Sequence, residues 1–239
     1  MTDRMSGRGL FVVLEGGDSV GKTTQTRYLD RWLDQAGVSH LLTREPGGTP
    51  LGSQIRRLLL DPASGAISAK AEALLYNADK AQHLDQVVRP ALARGELVVC
   101  DRYVDSTLAY QGAGRVLDAG EIETLARWGT DGLRPDLTIL LDADPAETTA
   151  TIVDKDRLEA ESLDFHRRVR AEFLRLARAD PQRYLVLPAR DSRQAIAEAI
   201  RARIAQLLHI PPELLESELS ESELSEPSEL SDPDGIIGP

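Results

Sequence analysis

The sequence predicts a three-layer α/β/α domain, a parallel sheet with helices packed on both of its faces. Two observations carry this reading. Five short, nearly continuous apolar runs recur through residues 1–210, and between them lie segments with the 3.6-residue period of amphipathic helices. Strands that are apolar throughout, rather than at alternate positions, are buried on both faces, as strands of a parallel sheet between helical layers are.

In chain order, LFVVLEG (10–16) is the first strand, followed by a helix near 22–36. SHLLTRE (39–45) is the second, with helices near 50–60 and 69–94. LVVCDR (97–102) is the third, with a helix near 118–128. LTILLDA (137–143) is the fourth, with helical segments near 145–153 and 160–179. YLVLPA (184–189) is the fifth, and a helix near 192–208 closes the domain. In the 160–179 helix, Phe165, Val169, Phe173 and Leu176 recur at helical spacing and read as core. His83 and His166 fall on predicted helices without partners at metal-ligand spacing, so each is expected to be satisfied or solvated. Cys100 lies on a buried strand and reads as an inert packed thiol. No composition shift interrupts 1–210, which is therefore one domain.

Composition narrows the function. The chain has 239 residues, 41% hydrophobic and 28% charged, which excludes fibrous and wholly disordered classes. One cysteine excludes a disulfide framework and a cysteine-based zinc site. No apolar run approaches the roughly 18 residues of a membrane span, and the start, MTDRMSGRG, has no secretory apolar region, so a cytoplasmic protein is expected. The net charge of −11 is concentrated at the end: residues 211–239 hold nine carboxylates and no Lys or Arg, leaving about −2 for the first 210. A near-neutral body without a basic face excludes nucleic-acid binding. The Ser-Glu-Leu repeat with prolines in 211–239 is expected to be a disordered acidic tail.

The strongest chemical signal joins the first strand to the first helix. Gly16-Gly17-Asp18-Ser19-Val20-Gly21-Lys22-Thr23 fits G-x-x-x-x-G-K-[ST], the P-loop of nucleoside triphosphate-binding domains. Its glycines let backbone N–H groups converge on phosphate oxygens at a helix N-terminus. Lys22 is expected to reach the β/γ-phosphates of ATP and the Thr23 hydroxyl to ligate Mg²⁺, with Thr24 completing the loop. Arg44, at the end of the second strand, and Arg102, at the end of the third, face the crevice at the strand carboxyl ends. Two guanidinium groups opposite a P-loop favour a second, phosphorylated substrate over surface ion pairs. Asp101 suits a direct or water-mediated Mg²⁺ contact beside Thr23.

The ordered set of motifs resembles the thymidylate kinase family. It runs from Glu15-Gly16-Gly17-Asp18 and Gly21-Lys22-Thr23-Thr24-Gln25 through Arg44-Glu45-Pro46-Gly47-Gly48-Thr49 to Asp101-Arg102-Tyr103. It continues through Ser106, Ala109-Tyr110-Gln111-Gly112, Arg134-Pro135-Asp136-Leu137-Thr138 and Asp156-Arg157-Leu158-Glu159, covering nearly all of residues 9–208. The resemblance implies a sheet of order 2-3-1-4-5, a homodimer formed through a helical face to which 69–94 contributes, and transfer of phosphate from ATP to dTMP. It also implies roles at matching positions. Asp18 approaches the sugar 3′-hydroxyl, and Arg44, Arg56 and Arg102 hold the dTMP phosphate. Pro46 is a strained, often cis, corner proline. Tyr76 stacks on thymine, Lys80 replaces an arginine that bonds the base, and Thr107 and Gln111 read its polar edge.

One departure from the family stands out. Its members carry a mobile arginine in the P-loop or in the lid over ATP. Here Ser19 and Val20 occupy the loop, and the lid, about 146–157, has only Lys155 before Arg157. Related short lids normally have basic residues where this chain has Ala150 and Thr151. Two outcomes are consistent with that departure. Either Lys155 and Arg157 assist Lys22 and Mg²⁺ in a slow enzyme, or the chain binds dTMP and ATP with vestigial activity. A kinase for another pyrimidine deoxynucleoside monophosphate is open because Lys lacks the planar fork of Arg. A deoxynucleoside kinase would need a carboxylate base such as Glu15 or Glu45.

Overall fold

A computed structural model of the chain describes residues 8–148 and 155–210. Strand β1 (Phe11–Gly16) leads through the phosphate loop into α1 (Lys22–Gln35). Strand β2 (His40–Arg44) is followed by α2 (Pro50–Leu60), and α3 (Ala69–His83) runs through a π-helical turn, Leu84–Val88, into α4 (Arg89–Ala93). After β3 (Leu97–Asp101) comes the short α5 (Val104–Ser106), which continues as the π-helical segment Thr107–Gly114, and then α6 (Ala119–Thr130). Strand β4 (Leu137–Asp142) is followed by α7 (Pro145–Thr148) and α8 (Leu163–Ala179), and β5 (Tyr184–Pro188) precedes α9 (Arg193–Leu208).

The five strands form one parallel sheet of order β2-β3-β1-β4-β5. At its centre Val13 of β1 is in register with Cys100 of β3 and Thr138 of β4. Alternate residues of β1 enter opposite layers, and this is why the run is apolar throughout. Val12 and Leu14 pack with Trp32, Leu33, Ile200 and Ile204 of α1 and α9. Phe11 and Val13 pack on the other face with Leu84, Val88 and Leu92. A third cluster sets Phe165, Val169 and Phe173 of α8 against Tyr110 and Leu140, while Leu176 is only partly buried beside it.

Two stretches differ from expectation. The 69–94 helix is interrupted by the π turn, ahead of Pro90. Residues 104–114, for which the sequence signalled no helix, are helical, although Thr107-Leu108-Ala109-Tyr110-Gln111-Gly112 mixes glycine, β-branched and aromatic residues of low helix propensity. Packing against α8 and α6 stabilises this segment. The acidic tail, 211–239, and lid residues 149–154 lie outside the described residues. Among those described, no helix is long and apolar enough to cross a membrane.

Candidate active site

Helix capping identifies the phosphate end. The long helices α2, α3, α6, α8 and α9 each begin with a side chain that accepts a first-turn N–H: Thr49, Ser68, Asp118, Ser162 and Ser192. Helix α1 begins at Gly21, in the left-handed region at φ 93°, with no side-chain cap and no acid in its first turn. Its N–H groups and positive dipole end are left for an anion. Gly16 is required where the loop leaves the sheet, since a Cβ there would lie 2.5 Å from the Leu141 carbonyl oxygen.

Lys22 lies across this loop, its Nζ donating to the carbonyls of Gly17 at 2.7 Å and Gly16 at 3.3 Å. Burial and the neighbouring Arg102 lower its pKa, favouring loss of the proton, while Asp101, Asp18 and Glu15 oppose that. Asp101 Oδ1 is buried and has no hydrogen-bond partner among the described residues. A carboxylate oxygen left unpaired near Lys22 of the P-loop suits a divalent cation, so Asp101, with the hydroxyl of the next loop residue Thr23, fits Mg²⁺.

Arg102 joins this end to a second cavity. Its backbone adopts φ 68°, a conformation that costs a non-glycine residue of order 1–3 kcal/mol. One guanidinium nitrogen donates to the Gly16 carbonyl at 3.0 Å and to Ser106 Oγ at 3.2 Å, and the other to Asp18 Oδ1 at 2.6 Å. The guanidinium also stacks on Tyr110, 5.0 Å from the ring centre, and the Tyr110 hydroxyl donates to Asp18 Oδ2 at 3.1 Å. Burial alone would raise the Asp18 pKa, but Arg102, Lys22 and the Tyr110 hydroxyl outweigh it and hold the carboxyl low, with a smaller contribution from His166. Tyr110 was not singled out by sequence reasoning, although it lay inside a motif that was.

The second cavity, of about 140 Å³, opens beyond Arg102. It brings together eight of the nine residues nominated for the acceptor: Asp18, Pro46, Arg56, Tyr76, Lys80, Arg102, Thr107 and Gln111. Arg44 lies outside the lining. Its guanidinium and the Arg56 side chain both lie close to Gly47, and Arg56 donates to the Pro46 carbonyl at 3.1 Å. The Glu45–Pro46 peptide is cis. Asp156, Leu158 and Glu159 complete one wall. The motif containing them signalled the family, but it offered no reason to place them against the acceptor.

Behind the lining are two buried charge networks. In the first, Glu45 is bonded to Lys80 through Oε2 and to His83 Nδ1 at 2.8 Å through Oε1, and His83 Nε2 lies 2.6 Å from Thr43 Oγ1. Lys80 is thus an internal ion-pair partner as well as a pocket residue, and its ammonium lies 4.8 Å from the Tyr103 ring centre. Glu45, His83 and Cys100 lie within 4.8 Å of one another, but Lys80 already neutralises Glu45 and leaves no excess negative charge to draw a cation. Gly48 is forced by this packing, because a Cβ would fall 2.5 Å from the His83 ring.

The second network centres on Glu72, which sequence reasoning missed. This fully buried carboxylate accepts from Gln111 at 3.0 Å, from Arg115 twice at 3.0 Å, and from Arg157. Arg157 also donates to the Leu59 carbonyl at 2.7 Å. It therefore anchors the end of the lid to α2 and α3, and its ion pair is with Glu72 rather than with Glu159 or Glu161. Lys155 is exposed. Glu15 accepts the N–H groups of Tyr103 and Ser106 and the Ser106 hydroxyl, and burial, followed by the nearby Asp105, pushes its pKa up to about 7.

The comparisons with known proteins agree with this arrangement. The family model described as thymidylate kinase matches residues 14–200. A thymidylate kinase from Cutibacterium acnes is 64% identical over 84% of this chain and 98% of its own length. One from Clavibacter michiganensis is 53% identical over 84% and 96%, and one from Deinococcus radiodurans 49% identical over 84% and 99%. With a family model matching residues 14–200 and relatives 49–64% identical over most of its length, the chain belongs to the thymidylate kinase family.

Proposed function

We propose that this chain transfers the γ-phosphoryl group of ATP to dTMP, forming ADP and dTDP. The observation that carries the reading is Arg102, which bonds the phosphate loop at Gly16 and Asp18 while lining the acceptor cavity. A cation at that junction is placed to neutralise charge on the group in transit.

The phosphate loop and Lys22 hold the triphosphate, while Arg102, Arg56 and Arg44 orient the acceptor phosphate. A dTMP phosphate oxygen attacks the γ-phosphorus in line, and the bond from γ-phosphorus to the bridging oxygen breaks, leaving ADP. A phosphate with a second pKa of about 6 is already a dianion near neutral pH, so no protein base is needed. Thr23 and Asp101 would hold Mg²⁺, which supplies charge neutralisation on the phosphates when bound.

The base is read by geometry that Glu72 imposes. The Gln111 amide nitrogen is committed to Glu72, which leaves its carbonyl oxygen to accept from the base. A ring N–H donor, as in thymine and uracil, suits that acceptor, whereas the unprotonated ring nitrogen of cytosine does not. Tyr76 stacks on the base, with Thr107 and Lys80 at its edge. A deoxynucleoside kinase is disfavoured because both carboxylates it could use as base are engaged, Glu45 by Lys80 and His83 and Glu15 by Tyr103 and Ser106. With no arginine in the loop or in 146–154, turnover is slow relative to arginine-bearing relatives.

The reading includes a cytoplasmic homodimer formed through α2, α3 and α6. These helices pack consecutively and carry the exposed Leu58, Leu74 and Trp128, the last 77% accessible. Calorimetry tests the acceptor assignment: dTMP binds, thymidine binds at least about a hundredfold more weakly, and equal binding of the two would contradict it.

A further inference from the structure

The phosphate loop lacks an arginine, but a buried imidazole approaches it from α8. Phe165, Val169 and Phe173 bury that helix against Tyr110 and Leu140, which carries His166 inward with them. His166 is only 5% exposed, and its ring meets Phe165 edge-on at 5.4 Å. Neither sequence expectation holds for Nε2, since it is buried and has no hydrogen-bond partner among the described residues. Leaving such an atom unpaired costs about 1–3 kcal/mol, so an unpaired one calls for a ligand or a water.

His166 lines a small cavity together with Gly16, Gly17 and Asp18 of the phosphate loop. Its volume of about 20 Å³ is enough for one water-sized oxygen. Arg170, one helical turn beyond, fixes the distance between helix and loop. It grips Asp142, at the end of β4, with two bonds of 2.7 and 2.9 Å, and lies 3.7 Å from Asp144.

We propose that His166 is a positioning residue for the donor triphosphate, its Nε2–H holding a single water oxygen against the Gly16–Asp18 turn so that the loop keeps its phosphate-receiving shape. The proposal rests on the reading that this loop binds ATP, and it is independent of the identity of the acceptor. Arg170 acts one step further back, by fixing α8 on β4.

The test is calorimetric binding of adenylyl imidodiphosphate with Mg²⁺, and separately of dTMP, to the full chain as wild type, His166→Phe and His166→Gln. Phe keeps the ring contact with Phe165 but has no donor, whereas the Gln side-chain nitrogen comes close to the position of Nε2. The expected result is about tenfold weaker analogue binding for H166F, dTMP binding within about twofold of wild type, and recovery to within about threefold for H166Q. Unchanged analogue binding in H166F overturns the proposal. So does equal weakening of both ligands, or failure of Gln to restore binding, because either identifies a packing role. Wild type that binds the analogue without phosphorylating dTMP would count against the kinase reading alone.

Discussion

Arg102 is held in a backbone conformation that most side chains avoid, and four of its contacts are specific: Gly16, Asp18, Ser106 and Tyr110. A residue kept in a costly conformation by that many partners is organised before substrate arrives. Arg102→Ala is expected to lower kcat/KM for dTMP by about 10³, measured at steady state with saturating ATP. A loss under tenfold would show that Arg56 and Arg44 carry the acceptor phosphate without it. At this scale the sequence was informative wherever a residue sits at a strand end or in the loop, as Arg102, Asp101 and Lys22 do. It was silent about Glu72, and it gave for His83 only that it would be satisfied or solvated, because their partners lie 39–85 and 38–40 residues away and are joined to them only by the fold.

Among the elements, the helical segment 104–114 forms one wall of the acceptor cavity, and Glu72 on α3 fixes that wall through Gln111 and Arg115. Through Arg157 the same carboxylate holds the end of the lid. Burial alone would raise the Glu72 carboxyl, but bonds from Arg115, Gln111 and Arg157 outweigh it and hold the pKa below its ordinary 4.5. A carboxyl held low in the fold contributes stability above its unfolded pKa, and that stability is lost as pH falls through the folded value. Glu72→Gln is therefore expected to cost about 3 kcal/mol at pH 7 and to decline less steeply than wild type below about pH 4.5, as followed by urea denaturation across pH. Parallel acid limbs in the two proteins would contradict this. The central strands β1, β3 and β4 were legible because both of their faces are buried, and the half-exposed edge strands β2 and β5 were legible from their short apolar runs. The 104–114 helix was not, since tertiary packing sets its conformation against the local propensity of its residues.

The whole molecule is a sheet whose carboxyl edge carries the phosphate loop, Arg44 and Arg102, with α2, α3 and α6 packed in succession and exposing Leu58, Leu74 and Trp128. Under the proposed dimer, wild type is expected to sediment as a dimer and a combined Leu74→Lys and Trp128→Glu variant as a monomer. Identical sedimentation of the two would remove that face from the assembly. The order of the sheet followed from the family resemblance rather than from periodicity, because hydrophobic pattern specifies that strands are buried but not which strands are neighbours. The most direct test of the whole account is ADP release with ATP and Mg²⁺ and, as acceptor, dTMP, dUMP, dCMP or thymidine in turn. Turnover with dTMP well above dCMP and thymidine is the predicted result. No turnover with dTMP, or equal turnover with thymidine, would contradict the proposal that this cavity positions a nucleoside monophosphate for phosphoryl transfer.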